Sequence, residues 1–118
     1  MRSLLCWKQS LGGLTLVVVA TACRVVGGFG AAPTFAPFAG EDARWMKLAL
    51  DEAGAAGRRG EVPIGAVVVR DGAVLARGGN SVERDSDASA HAELIALRSA
   101  ASAEGNWRLL NATLYCTR

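Results

Sequence analysis

The stretch Ile64-Gly65-Ala66-Val67-Val68-Val69-Arg70-Asp71-Gly72-Ala73-Val74-Leu75-Ala76-Arg77 decides the fold. A β-branched run, an Asp-Gly pair and a returning apolar run spell a β-hairpin. The turn requires positive φ at both central residues, which Asp tolerates and Gly accepts freely. The first strand is apolar throughout instead of alternating, so both of its faces are expected to be covered. That pattern points to helices on a sheet.

Outward from the hairpin, Glu41 to about Ala56 reads as a helix. Two acids open it, Trp45 and Leu48 are expected in the core, and Gly54 and Gly57 loosen its end. Arg58-Arg59-Gly60-Glu61 reads as a polar, solvated connection. On the other side, Gly78-Gly79-Asn80-Ser81 ends the second strand and an acidic loop follows from Val82 to Ser89. Ser89 is a candidate N-cap for a second helix, in which Ala90, Leu94, Leu97 and Ala101 form one apolar stripe closing near Gly105. Asn106-Trp107-Arg108 is a connection in which Trp107 is expected to pack, and Ala112 to Thr117 begins a third strand.

Charge divides the chain. The 118 residues carry thirteen Lys and Arg and eleven Asp and Glu, for a formal charge of +2. Residues 1 to 40 hold no acid and only Arg2, Lys8 and Arg24, so ten basic residues face eleven acids from Glu41 onward. Residues 41–118 therefore lack the basic footprint of a nucleic-acid binder, and they can bury only a small core. Cys6, Cys23 and Cys116 are odd in number and widely spaced, which implies no disulfide framework.

Residues 1–40 read as a targeting leader. Arg2 and Lys8 precede the apolar run Leu14 to Ala22, and Ala20-Thr21-Ala22 suits a signal peptidase. The run falls short of the roughly 20 residues a spanning helix needs, so a membrane anchor is the alternative. Ala20-Thr21-Ala22-Cys23 also admits a weaker lipoprotein reading. The acid-free continuation, with Pro33 and Pro37, resembles a transit segment, and Thr34-Phe35-Ala36-Pro37 partly resembles the junction in bipartite presequences of algae with complex plastids. The expected destination is the plastid, with the secretory pathway or a membrane anchor as alternatives and no stable membrane partner once the leader is removed.

Ala90-His91-Ala92-Glu93 is the candidate chemistry. His91 is the sole histidine. A neutral imidazole can hold a metal while a carboxylate two residues on moves protons on water. Such a pair would diverge in mid-helix but can converge on a point beyond the first turn, where free N–H groups favour anions. The competing reading is a helix cap or surface group. Asn80, after two glycines, reads by itself as a turn residue, and Pro63 could simply start an edge strand.

Three stretches stand in order: Glu61-Val62-Pro63-Ile64-Gly65-Ala66-Val67, Asn80, and Asp87-Ala88-Ser89-Ala90-His91-Ala92-Glu93-Leu94. With Asn106-Trp107-Arg108-Leu109 and Ala112-Thr113-Leu114-Tyr115 they closely resemble the tRNA adenosine deaminases of the cytidine deaminase-like superfamily. The resemblance implies an α/β fold, a cytidine deaminase-like layered helix/sheet/helix that is incomplete here: helix, β-hairpin, helix and the start of a third strand. Residues 41–118 would be a partial deaminase domain of this type.

It further implies Zn2+ held by His91, with two cysteines of a Pro-Cys-x-x-Cys motif expected beyond the C-terminus, and Glu93 as the proton carrier. The expected reaction is hydrolytic deamination of adenosine to inosine at the tRNA wobble position. Asn80 would bind the substrate, and Val62, Pro63 and Ile64 would line its pocket. The tRNA anticodon arm and a homodimer of the full-length protein are the expected partners. Asp87-Ala88-Ser89 replaces the family's usual Asp-Pro-Thr. By this resemblance the 118 residues hold one of three expected zinc ligands and are expected to be inactive by themselves. Alternatives are a deaminase of a free base or nucleotide, of guanine or cytidine type, and a noncatalytic partner subunit.

Overall fold

A computed structural model describes residues 4–11, 14–21 and 40–117, the first two segments as backbone alone. The hairpin forms as its residues require. β1 (Leu4–Leu11), β2 (Leu14–Thr21), α1 (Gly40–Arg58), β3 (Gly65–Arg70), β4 (Ala73–Gly79), α2 (Val82–Asp85), α3 (Ala92–Glu104) and β5 (Ala112–Thr117) follow in chain order. Between β3 and β4, Asp71 and Gly72 take φ of 50° and 73°, the two positive values that a primed turn demands. β3 pairs antiparallel with both β4 and β5, so Pro63 precedes a central strand and not an edge.

The sheet order is β1-β2-β5-β3-β4. β2 runs parallel to β5, from Leu14 opposite Ala112 to Val19 opposite Thr117, and β1 folds back antiparallel on β2. Most of the apolar run expected as a signal segment thus lies in a strand, and β5 has neighbours on both sides. The transit-like segment from Arg24 to Phe38, with Thr34-Phe35-Ala36-Pro37, lies outside the described residues, as do Ala22 and Cys23. Among the described residues no helix is long and apolar enough to cross a membrane.

Alternation along β3 sends successive side chains to opposite faces. Val67 and Val69 meet Trp45, Met46 and Ala49 of α1, together with Tyr115, while Leu48 packs at the margin. Ala66 and Val68 meet Ala92, Ala96 and Ala100 of α3, with Leu114, Cys116 and Leu109. Both faces of the strand are covered, as its unbroken apolar character required. Each helix also touches the sheet at a glycine. A Cβ on Gly65 would lie 2.2 Å from the Ala49 carbonyl oxygen, and one on Gly78 would lie 2.6 Å from that of Ala92.

The close approach at Gly78 corrects the expected stripe of α3. Ala92, Ala96 and Ala100 are fully buried, whereas Leu94 is exposed and Leu97 only half-buried. Leucines would hold the helix away from the sheet; alanines let its backbone descend onto it. Gly105 ends α3 in the left-handed conformation, φ 62°, and Ala101 O accepts from Asn106 N at 3.1 Å. At the other end of the core, the Tyr115 hydroxyl donates to Asp42 Oδ1 at 2.7 Å and ties the start of α1 to β5. Trp107 does not pack inward: it is 75% exposed, with the Arg108 guanidinium 4.5 Å from its ring centroid.

Candidate active site at the start of α3

The loop between β4 and α3 is built from local hydrogen bonds. α2 makes one short turn within it, a feature the polar composition had concealed, and Ser86 closes that turn with φ 50°. Asp87 Oδ1 then accepts from Ser89 N at 2.8 Å and from Ser89 Oγ at 2.7 Å. Ser89 therefore does not cap the helix, because its hydroxyl is engaged with Asp87. The same two donors, with lesser help from the Arg98 charge, hold the Asp87 carboxyl below the usual aspartate value. A serine where the resemblance leads one to expect threonine keeps this turn intact.

His91 takes the N-cap position, extended at φ −78° and ψ 148°, and its carbonyl accepts from Ile95 N at 3.0 Å. Its ring makes no capping hydrogen bond and is exposed. That removes the cap as a reason for an imidazole here. Glu93 follows in the first turn, half-buried, beside the N–H groups that no helical carbonyl satisfies.

Two backbone bonds draw the other candidates to this point. Asn80 N donates to Ile64 O at 3.0 Å, and Ser81 N donates to Ala90 O at 3.0 Å. Ile64, Asn80 and His91 are thereby gathered at one end of the sheet. Asn80 is 2% exposed, and its Oδ1 is buried with no hydrogen-bond partner. A turn residue would have satisfied that oxygen locally, and a buried acceptor without a donor calls for an explanation. Ile64 N donates to Val62 O at 2.7 Å across Pro63, leaving Val62 and Pro63 exposed while Ile64 packs on the α3 side.

Sequence reasoning missed Glu61. It was read into a solvated connection, yet it is buried, and its carboxylate accepts from Glu83 N at 3.2 Å and Arg84 N at 2.9 Å. Its position directly before an apolar strand was the available signal. Ser81 Oγ donates to Asp85, whose carboxyl also accepts from Arg84 Nε at 2.8 Å.

Residues 39–118 match the family described as the cytidine and deoxycytidylate deaminase zinc-binding region. The chain belongs to this deaminase family. The chain is 52% identical over 77 residues to a tRNA-specific adenosine deaminase of Agrobacterium fabrum, covering 65% of this chain and 51% of that protein. It is 49% identical over 76 residues to the chloroplastic tRNA(adenine(34)) deaminase of Arabidopsis thaliana, covering 64% of this chain and 6% of that one. A solved structure from work on A-to-I editing by tRNA:A34 deaminases superposes with a TM-score of 0.62 at 52% identity, covering 64% of this chain and 54% of that chain. Guanine deaminase from Bacillus subtilis gives 0.61 at 37% identity, covering 63% and 48%. The chain spans about half the length of the bacterial relative.

A zinc-binding deaminase region implies Zn2+. Among the described residues no group of three or more His, Cys, Asp or Glu could hold a metal ion. Cys116 is packed among the alanines and leucines under α3. The described residues therefore offer His91 as an imidazole donor without making a complete zinc shell.

Proposed function

We propose that this chain supplies the imidazole and carboxylate half of a hydrolytic deaminase that converts adenosine to inosine at the wobble position of tRNA. The family, and the names of relatives about half identical to it, support the reaction class. The observation that carries the substrate side is the orphaned Asn80 Oδ1 beside Ile64 and the start of α3. Such an acceptor is completed by a donor that a nucleoside brings, its hydroxyls or amine.

Adenosine and water give inosine and ammonia. In this chain Glu93 takes one proton from the attacking water and gives it to the purine ring nitrogen, where inosine keeps it. It then takes the hydroxyl proton of the C6 adduct and gives it to the amine, which leaves as ammonia as the C6 carbonyl forms. His91 is the one imidazole available to a zinc ion, and since the described residues do not complete that shell no step is derived through the metal. Asn80 holds the flipped nucleotide, with Val62, Pro63 and Ile64 along its flank.

Residues 1–40 belong to this proposal as a plastid leader, supported by their lack of acids and by the chloroplastic relative. Removing them takes β1 and β2 away and leaves β5, β3 and β4 between α1 and α3. A homodimer that grips the anticodon arm completes the reading.

The test uses the protein encoded by the complete reading frame, incubated with an anticodon stem-loop bearing adenosine at the wobble position. Inosine is expected by mass spectrometry, and Glu93→Gln should lower kcat by about 100-fold or more. A fully active Glu93→Gln protein would remove Glu93 from the chemistry. The mass of the protein recovered from plastids should lack about residues 1–40; an intact N-terminus would end the leader reading. The likeness to guanine deaminase keeps one second reading, a free base as substrate. Ammonia released from guanine without inosine in the stem-loop would establish it in place of the first.

A further inference from the structure

We infer that Glu61 is a positioning residue that fixes the loop bearing Asn80 and leading to His91 against the end of α1; this rests on the site proposed above. Glu61 is bound at both its ends. Its own N–H donates to Ala56 O at 3.1 Å, in the last turn of α1. Its carboxylate reaches across the chain to Glu83 N and Arg84 N, at 3.2 and 2.9 Å, one oxygen to each.

A carboxylate this buried is costly unless it is paired, and two N–H groups at the start of α2 provide the pairing. The consequence spans both layers. α1 lies on one face of the sheet and α3 on the other, and β3 and β4 separate them. Glu61 links the end of α1 directly to the turn that follows Asn80. That turn is in turn joined to the start of α3 through Ser81 N and Ala90 O. Asp87 N, donating to Val82 O at 3.2 Å, continues the same set of bonds toward the Asp87-Ser89 turn. The Arg84 guanidinium is engaged with Asp85, and its attraction to Glu61 is the lesser one.

Glutamine in place of Glu61 presents one acceptor and an amide NH2, so at most one of the two N–H bonds survives. A bond to an ionised acceptor contributes enough that its loss should speed exchange of the affected amide by about tenfold or more. The experiment compares wild type and Glu61→Gln in the protein from the complete reading frame. It measures amide hydrogen exchange at Glu83 and Arg84, the side-chain amide resonances of Asn80, and KM and kcat on the wobble stem-loop.

Faster exchange at either amide, shifted Asn80 resonances, and a KM raised about tenfold with kcat little changed are expected, because the displaced group is the one that binds the nucleotide. Unchanged exchange at both amides overturns the inference. So does a parallel fall in kcat and melting temperature with KM constant, which would mark a purely structural role. If wild type makes no inosine yet Glu61→Gln frees an amide and shifts Asn80, the deaminase reading falls and the positioning role stands.

Discussion

The two faces of the sheet are packed by different means. On the α1 face, Trp45, Met46 and Tyr115 fill the space between helix and strands with large side chains. On the α3 face three alanines at a spacing of four bring the helix backbone down to the strands, and Gly78 opens the place where it lands. Large side chains contribute more buried area and therefore more stability. Small ones leave little room for a helix to slide or tilt, because main chain meets main chain. Both helix backbones come down on a glycine, Gly65 under α1 and Gly78 under α3. But α3, which leads from His91 and carries Glu93, buries only alanines there, whereas α1 also buries Trp45 and Met46. Stability and placement are thus divided between the two layers of a small fold.

The largest break in that comparison is Trp45→Ala. Truncating a buried tryptophan typically costs about 3–5 kcal/mol, a large part of what a small domain has. Urea denaturation should show an unfolding free energy lowered by that amount, seen as a lower midpoint at unchanged slope. A loss below about 1 kcal/mol would mean that the α1 face is not the main store of stability.

The two glycines sharpen the division. Gly65→Ala places a methyl group against the Ala49 carbonyl, and Gly78→Ala places one against that of Ala92. Each should cost about 1–3 kcal/mol by overpacking, read from the same denaturation curves. Their effects on inosine formation should differ. Lifting α3 moves His91 and Glu93 directly, and a displacement near 1 Å can cost about 100-fold in rate. Gly78→Ala should therefore lose more activity than its folded fraction explains, and Gly65→Ala should not. Equal losses per folded molecule would end the claim that the α3 face does the placing.

The same contrast explains what could be read in the chain. Asp71-Gly72 announced its turn because only a few residues tolerate positive φ, and Val67 to Val69 announced a strand covered on both sides because none of them is polar. α1 was legible from Trp45 and from its acidic start. The seam of α3 was not. Hydropathy favours Leu94 and Leu97 over Ala92, Ala96 and Ala100, and nothing local says that Gly78, many residues away, admits only a methyl group. Trp107 misled for a related reason, since size and hydropathy suggested packing while the turn built on Leu109 points the ring outward. Glu61 was hidden because its partners are backbone N–H groups more than twenty residues along the chain. His91 and Glu93 were legible as a pair of chemical groups; that His91 occupies the N-cap without its ring capping needed the fold.

The smallest expected effect concerns acid. Arg84 first, and then Ser81, lower the Asp85 carboxyl to about 2, and the Ser89 hydroxyl and amide lower Asp87. An unfolded aspartate titrates near 3.8. Between those values the unfolded chain binds more protons than the folded one, so stability rises with pH across that window. The contribution is fully present above about pH 4 and lost as pH falls through about 2. Both carboxylates are exposed, so the effect should be small and weakened by salt. Melting temperatures of wild type and Asp85→Asn, followed from pH 5 to pH 2 at low ionic strength, should converge at the acid end. A difference that stays constant over that range would mean that Asp85 holds its loop through shape alone. The stable α1 face would then share its independence of charge with the loop that presents His91.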